Sequence, residues 1–166
     1  MTIRLDTVEA TLALGVALGR QLRAGDLIIL SGSLGAGKTT LTKGIATGMG
    51  VSGRVTSPTF VIARVHRPDA DSDRTVPLVH VDAYRLAGAL ELDDLDLDTD
   101  LNAAAVVIEW GEGVAEQLAS DRLTIELVRM PDDTRTAELT AVGENWRARA
   151  AALDDSVRAG SPGNSV

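Results

Sequence analysis

A chain of 166 residues with 45% hydrophobic content is long enough to form one domain with its own core, and with only 2% aromatic residues that core must be built from Leu, Val, Ile and Ala. The absence of cysteine excludes disulfides and thiol-based metal or redox sites. A formal net charge of -8 with only two lysines, Lys38 and Lys43, argues against a domain that itself grips DNA or RNA; no apolar run approaches the roughly 18 residues of a membrane span and no secretory leader pattern is visible, so a cytoplasmic protein with no membrane or DNA partner is expected.

Residues Thr7 to Arg23 read as a helix. Asp6 or Thr7 suits the N-cap, and Val8, Leu12, Gly15, Val16, Gly19 and Leu22 form the expected apolar stripe. Ala24-Gly25-Asp26 then feeds Leu27-Ile28-Ile29-Leu30, a continuous apolar run of the kind found in buried parallel strands.

Gly32 to Thr39 follows, and it fits the pattern G-x-x-x-x-G-K-[ST]. The glycines allow a tight turn whose N–H groups point inward and cradle phosphate. Lys38 adds a point charge for the β- and γ-phosphates, and the Thr39 hydroxyl is placed to ligate Mg²⁺. Thr40 to Ala46 continues at helical spacing, so a helix N-terminus should face the same anion. Strand, loop and helix are the context this motif requires.

Gly48 to Gly53 is a glycine-rich connection. In Val55-Thr56-Ser57-Pro58-Thr59-Phe60, Pro58 rules out an ordinary helix. The hydroxyls of Thr56, Ser57 and Thr59 belong either to a segment facing a nucleotide or to a turn entering a strand over Phe60 to His66. Arg67 to Arg74 reads as a solvated polar insertion, and Val76 to Val81 as a strand that runs into Asp82. Ala89 to Leu101, with carboxylates at 91, 93, 94, 96, 98 and 100, reads as a solvated acidic segment rather than a cation cage. Ala103 to Ile108 is a second apolar strand ending in a carboxylate, Glu109, and is expected beside the loop strand. Gly113 to Ser120 reads as a short helix, Leu123–Met130 and Thr134–Val142 as an antiparallel hairpin, and Glu144 to Asp155 as a helix. Residues 1–155 should form a single domain, with 156–166 a disordered tail.

The fold class predicted is an α/β P-loop NTPase-like three-layer sandwich, with a mainly parallel central sheet and antiparallel strands at one edge. The carboxyl ends of strands in such a sheet converge on the ligand crevice. Lys38, Thr39, Asp82 and Glu109 should therefore meet there, with Thr39 and one of the carboxylates near Mg²⁺ and the other orienting water. His80 alternates with Asp82 and reads as a structural hydrogen-bonder rather than a base. Trp110 either packs on a nucleotide, presents a partner surface or is simply half-buried. No N-K-x-D guanine reader is present, which favours adenine, and the loop after the first strand carries Lys-Thr rather than the G-x-G-x-x-G that a dinucleotide-binding domain would need there. A small-molecule kinase remains an alternative, although its expected arginine-rich lid is not evident. A nucleotide-dependent binding module is a third.

Leu34-Gly35-Ala36-Gly37-Lys38-Thr39-Thr40, Thr56-Ser57-Pro58-Thr59-Phe60, His80-Val81-Asp82-Ala83-Tyr84-Arg85-Leu86 and Ile108-Glu109-Trp110, in this order and spacing, resemble TsaE (YjeE-type) proteins. The resemblance covers about Asp6 to Val142. It implies ATP and Mg²⁺ as cofactors, slow hydrolysis by the chain alone, and TsaD and TsaB as partners. Those partners transfer the threonylcarbamoyl group to tRNAs reading codons that begin with adenine, so tRNA would be met indirectly. By position it implies Gly35, Ala36, Gly37, Lys38, Thr39 and Thr40 at the phosphates, and Thr39 and Glu109 at Mg²⁺. It also implies Thr11, Trp110 and Arg135 near the nucleotide, Thr56 to Thr59 as a switch segment, and Lys38, Asp82 and Glu109 as catalytic. Ser33 departs from the family pattern, which usually has Asp or Glu there.

Overall fold

The computed structural model describes residues 1–56, 63–85 and 101–160. A seven-stranded sheet in the order β1-β7-β6-β2-β5-β4-β3 forms the frame. Its strands are β1 (Thr2–Leu5), β2 (Leu27–Ser31), β3 (Ala63–His66), β4 (Leu78–Asp82), β5 (Ala105–Glu109), β6 (Arg122–Arg129) and β7 (Arg135–Val142). The loop strand β2 is central and fully buried, with parallel partners on both sides, β5 and β6. β4 extends the parallel part beyond β5.

Period-two alternation splits the apolar residues between two faces. Ile28, Leu30, Ala105, Val107 and Leu123 pack under helices α1 (Val8–Gln21), α2 (Lys38–Gly48) and α3 (Glu144–Gly160). Leu27, Ile29, Val79, Val81, Val106 and Ile108 pack on the other face, which among the described residues is covered by Leu101, Ala104 and the Val114–Ala119 stretch. The mixed α/β sheet with a parallel centre is thus as expected. Among the described residues no helix is long and apolar enough to cross a membrane.

Several local expectations change. Antiparallel strands close both edges, not one: β1 and β7 on one side and β3 on the other. The four residues of β1 are too few to show a period by themselves, and they are held as a strand by pairing with β7. The Gly113–Ser120 segment forms only a 3₁₀ turn at Glu116–Leu118, because Gly113 takes a left-handed φ of 80° and Ala119 returns to extended backbone. The buried stripe of α1 is Thr11, Leu14, Gly15, Leu18 and Gly19; Val8 is exposed and Leu12 and Val16 are half-buried. Thr7 is the N-cap, accepting from the Ala10 N–H. The last helix runs past Asp155 to Gly160, since Ser156-Val157-Arg158-Ala159 contains no breaker before Gly160 and Pro162. Residues 161–166, the acidic run 91–100 and Ser57 to Thr59 lie outside the described residues.

The polar 67–74 segment is solvated at Arg67, Ala70, Asp71 and Asp73, but it is anchored at its end. The Arg74 guanidinium donates to the carbonyls of Gly19, Arg20 and Leu22 at the end of α1, where helix carbonyls run out of intrahelical donors. At the same end of α1, Arg149 of α3 donates to the Gln21 carbonyl and to both oxygens of Asp26 at 2.6 Å, and lies over the Trp146 ring. That pair is almost out of water and ties the C-terminal helix to the turn before β2.

Helices α1 and α2 approach backbone to backbone. A Cβ at Gly15 would fall on the Leu41 carbonyl oxygen, one at Gly19 on that of Ile45, one at Gly44 on that of Leu12, and one at Gly48 on that of Val16. Overpacking of this kind costs about 1–3 kcal/mol or more. Gly19→Ala and Gly44→Ala should therefore each lower unfolding free energy by about 3 kcal/mol in denaturant titration. Gly53→Ala, where an added methyl meets nothing within 4 Å, should leave stability unchanged or slightly higher.

Candidate active site

The sequence puts three strand ends together. β2 ends at the loop, β4 at Asp82 and β5 at Glu109, and the parallel register pairs Asp82 with Glu109 and Leu30 with Glu109. Above them opens a cavity of about 560 Å³ lined by Leu34, Gly35, Gly37, Lys38, Thr39, Thr40, Asp82, Tyr84, Glu109, Trp110 and Arg135. Nine of the eleven residues expected from sequence line it: Gly35, Gly37, Lys38, Thr39, Thr40, Asp82, Glu109, Trp110 and Arg135.

The other two sit differently. The Ala36 methyl faces the core, and the residue contributes its backbone to the loop turn, its N–H donating to the Ser33 carbonyl at 3.1 Å. Thr11 is buried behind the loop, its hydroxyl donating to the Thr7 carbonyl and its methyl 3.9 Å from where a Gly37 Cβ would stand. Thr56 lies outside this cavity and lines a different one with Lys43 and Arg54.

Gly37 is the N-cap of α2 at φ 110°. It offers no side-chain cap, and the first turn of the helix carries no acid. The helix start therefore keeps its N–H groups and positive dipole end for an external anion. Gly32 at φ 128° brings the loop hard against the Leu127 carbonyl of β6, where a side chain would clash.

Lys38 is buried and folds back, its ammonium donating to the carbonyls of Gly32 at 2.6 Å and Ser33 at 3.0 Å. It also lies 3.7 Å from the centroid of the Trp110 ring. Burial pushes the ammonium below the ordinary lysine range, while the charges of Glu109 and Asp82 pull it back up. Trp110 is held at a left-handed φ of 62°, its N–H donating to the Leu30 carbonyl and its ring tilted at 53° against Tyr84 with centroids 5.0 Å apart. The ring thus packs at the lysine end of the cavity.

Glu109 is 2% exposed and accepts twice. The Thr39 hydroxyl meets Oε2 at 3.1 Å and His80 Nε2 meets Oε1 at 2.8 Å. Asp82 accepts the Tyr84 N–H at 3.0 Å. The sequence reading had His80 as a hydrogen-bonder but did not supply its partner, and it did not place Tyr84 at the cavity. The alternation of His80, Asp82 and Tyr84 at the end of an apolar strand was the available signal.

A central parallel strand leading into a glycine loop, a lysine and threonine at the helix start, and a carboxylate at the end of the neighbouring strand define a protein of the P-loop type. Residues 5–137 match the family described as "Threonylcarbamoyl adenosine biosynthesis protein TsaE". The chain belongs to the TsaE family. It is similar to the tRNA threonylcarbamoyladenosine biosynthesis protein TsaE of Streptomyces coelicolor, 55% identical over 152 residues, covering 89% of this chain and 98% of the relative. The protein of that name from Mycobacterium tuberculosis is 57% identical over 143 residues, covering 82% and 84% of the two chains. That from Bacillus subtilis is 40% identical over 139 residues, covering 83% and 84%. The crystal structure of Bacillus subtilis YdiB superposes with a TM-score of 0.76 at 33% identity, covering 94% of this chain and 95% of that one.

One titration sits beside the site. His66 of β3 faces His80 with ring centroids 6.3 Å apart, and its imidazole is held below the ordinary histidine value by burial first, then by His80 and Arg64. A histidine whose native value is depressed binds its proton better when unfolded, so stability should fall as pH drops through the unfolded value near 6.5. Thermal melts between pH 7.5 and 5.5 should show that fall for wild type and a flatter profile for His66→Asn.

Proposed function

We propose that this chain binds ATP with Mg²⁺ and hydrolyses it, slowly when alone, in support of threonylcarbamoyladenosine modification of tRNAs reading codons that begin with adenine. It acts on a TsaB–TsaD complex and does not itself transfer the threonylcarbamoyl group. The single observation that carries the ATPase part is the convergence of Lys38, Thr39, Asp82 and Glu109 on one cavity at a helix start. The names of the relatives carry the pathway part.

In this reading the free N–H groups of the loop and of the α2 start hold the phosphate oxygens. Lys38 leaves the Gly32 and Ser33 carbonyls for the phosphates, a short swing because those carbonyls belong to the same loop. The donor set fits a hard cation: the Thr39 hydroxyl and the Glu109 and Asp82 carboxylates are all oxygen ligands within one cavity. Thr39 and Glu109 would hold Mg²⁺, and Mg²⁺ when bound offsets phosphate charge. Asp82 is left to orient the attacking water. Trp110 covers Lys38 and thins the water around the charge. Arg135, adjacent to Gly37, stands at the side of the loop where Thr11 lies, the side assigned to the nucleoside.

The net charge of -8 suits a protein that meets tRNA through partners rather than directly, and this role belongs to the cytoplasm. Leu34 at 90% and Tyr84 at 69% exposure stand on the rim of the cavity, where a partner would feel the nucleotide state.

Phosphate release by the pure protein, alone and with purified TsaB–TsaD, tests this reading. Low turnover that rises with the complex and falls about 100-fold or more in Lys38→Ala is expected. ATP bound but not hydrolysed in either setting would overturn it, and ADP release that depends on a small-molecule acceptor would establish a metabolite kinase instead.

A further inference from the structure

His80 has a place in the site that the assignments above leave unused. Its side chain is fully buried in β4, and among the described residues the charged group it meets is Glu109. A carboxylate has no hydrogen to give, so both of its neighbours must donate. Thr39 donates through its hydroxyl, and His80 must therefore carry its hydrogen on Nε2. The remaining nitrogen, Nδ1, is buried and has no hydrogen-bond partner among the described residues. A bare lone pair there is tolerable, whereas a buried N–H with no acceptor would be a full orphan donor. The surroundings thus select one tautomer.

The two donors are not equivalent. Thr39 sits at the start of α2 on the cavity wall, and its oxygen is the one expected to turn toward a metal. His80 is fully buried in β4, and its hydrogen-bond partner among the described residues is Glu109. When Thr39 is engaged elsewhere, the imidazole alone fixes the rotation of the Glu109 carboxylate.

We infer that His80 is the positioning residue of Glu109, donating from Nε2 to Oε1 so that Oε2 is presented to the Thr39 side of the cavity. The inference rests on the ATPase reading for its kinetic consequence and on the hydrogen-bond geometry for its structural one. It makes His80 part of the support of the metal side rather than a proton carrier.

His80→Leu keeps bulk without a donor, and His80→Gln restores an N–H at the end of the side chain. In Mg²⁺-ATP hydrolysis, kcat should fall about 10- to 100-fold in His80→Leu with KM for ATP within about twofold, and His80→Gln should recover most of the loss. Mn²⁺ affinity of the nucleotide complex, read by electron paramagnetic resonance, should weaken by about tenfold or more in His80→Leu and be regained in His80→Gln. The imidazole nitrogen spectrum of wild type, which needs neither turnover nor a variant that folds, should show His80 protonated at Nε2 and bare at Nδ1. A proton on Nδ1 instead, unchanged kcat and Mn²⁺ affinity in His80→Leu, or equal losses in both variants would each overturn the inference. If wild type hydrolyses no ATP while the spectrum and the Mn²⁺ series come out as expected, the ATPase reading fails and the positioning role stands.

Discussion

Two helices of this protein touch through their backbones, and that contact sets much of the rest. Gly15 and Gly19 of α1 meet Gly44 and Gly48 of α2, each standing over a carbonyl of the opposite helix. Without side chains between them the axes lie closer than leucines would permit. Carbonyl oxygens then face Cα–H groups at short range, a weak attraction repeated along the seam. The seam fixes the position of α2, and α2 begins at Lys38, so the helix start that faces the cavity is aimed by glycines one to three turns away. The same seam carries Thr11 to the back of Gly37.

The site beyond that helix start is organised around charge kept from water. Glu109 is nearly inaccessible, and such a carboxylate is tolerated only when hydrogen-bonded. Its two donors come from different elements, α2 and β4, so the carboxylate also couples the loop helix to the neighbouring strand. Lys38 answers the same constraint with loop carbonyls and the face of Trp110. Cation and anion thus stand near one another, each with hydrogen-bonding partners of its own.

Much of this was legible in the sequence because it is local. The loop from Gly32 to Thr39, the apolar run before it and the carboxylates closing β4 and β5 are each written within a few consecutive residues. What escaped was written across long separations. Arg149 finds Asp26 and Arg74 finds the end of α1 only in the folded chain, and neither arginine carries a local sign of its partner. β1 is a strand because β7 offers an edge, not because Thr2 to Leu5 show a pattern. On α1 the expected stripe held Gly15, Gly19 and Leu22 but took Val8, Leu12 and Val16 in place of Leu14 and Leu18, because leucines and valines lie on several sides of this helix and only packing selects the buried one. His80 was recognisable as a polar residue in an apolar strand, but its acceptor lies 29 residues further along the chain.

The order of the strands also bears on how the cavity is assembled. β2 pairs with neither of its neighbours in sequence; its partners are β5 and β6, and the Thr39–Glu109 bond spans 70 residues. Local pieces such as the β6–β7 hairpin and the α1–α2 pair close short loops and form early. Parallel pairing over such a distance is slow, because chain entropy is lost before the contacts return it. A nascent or partly folded chain therefore already contains the whole phosphate loop but no carboxylate beside it. The cavity wall that joins Thr39 to Glu109 is thus complete only once that long-range pairing is made, and a half-made molecule holds the loop without the carboxylate that faces it.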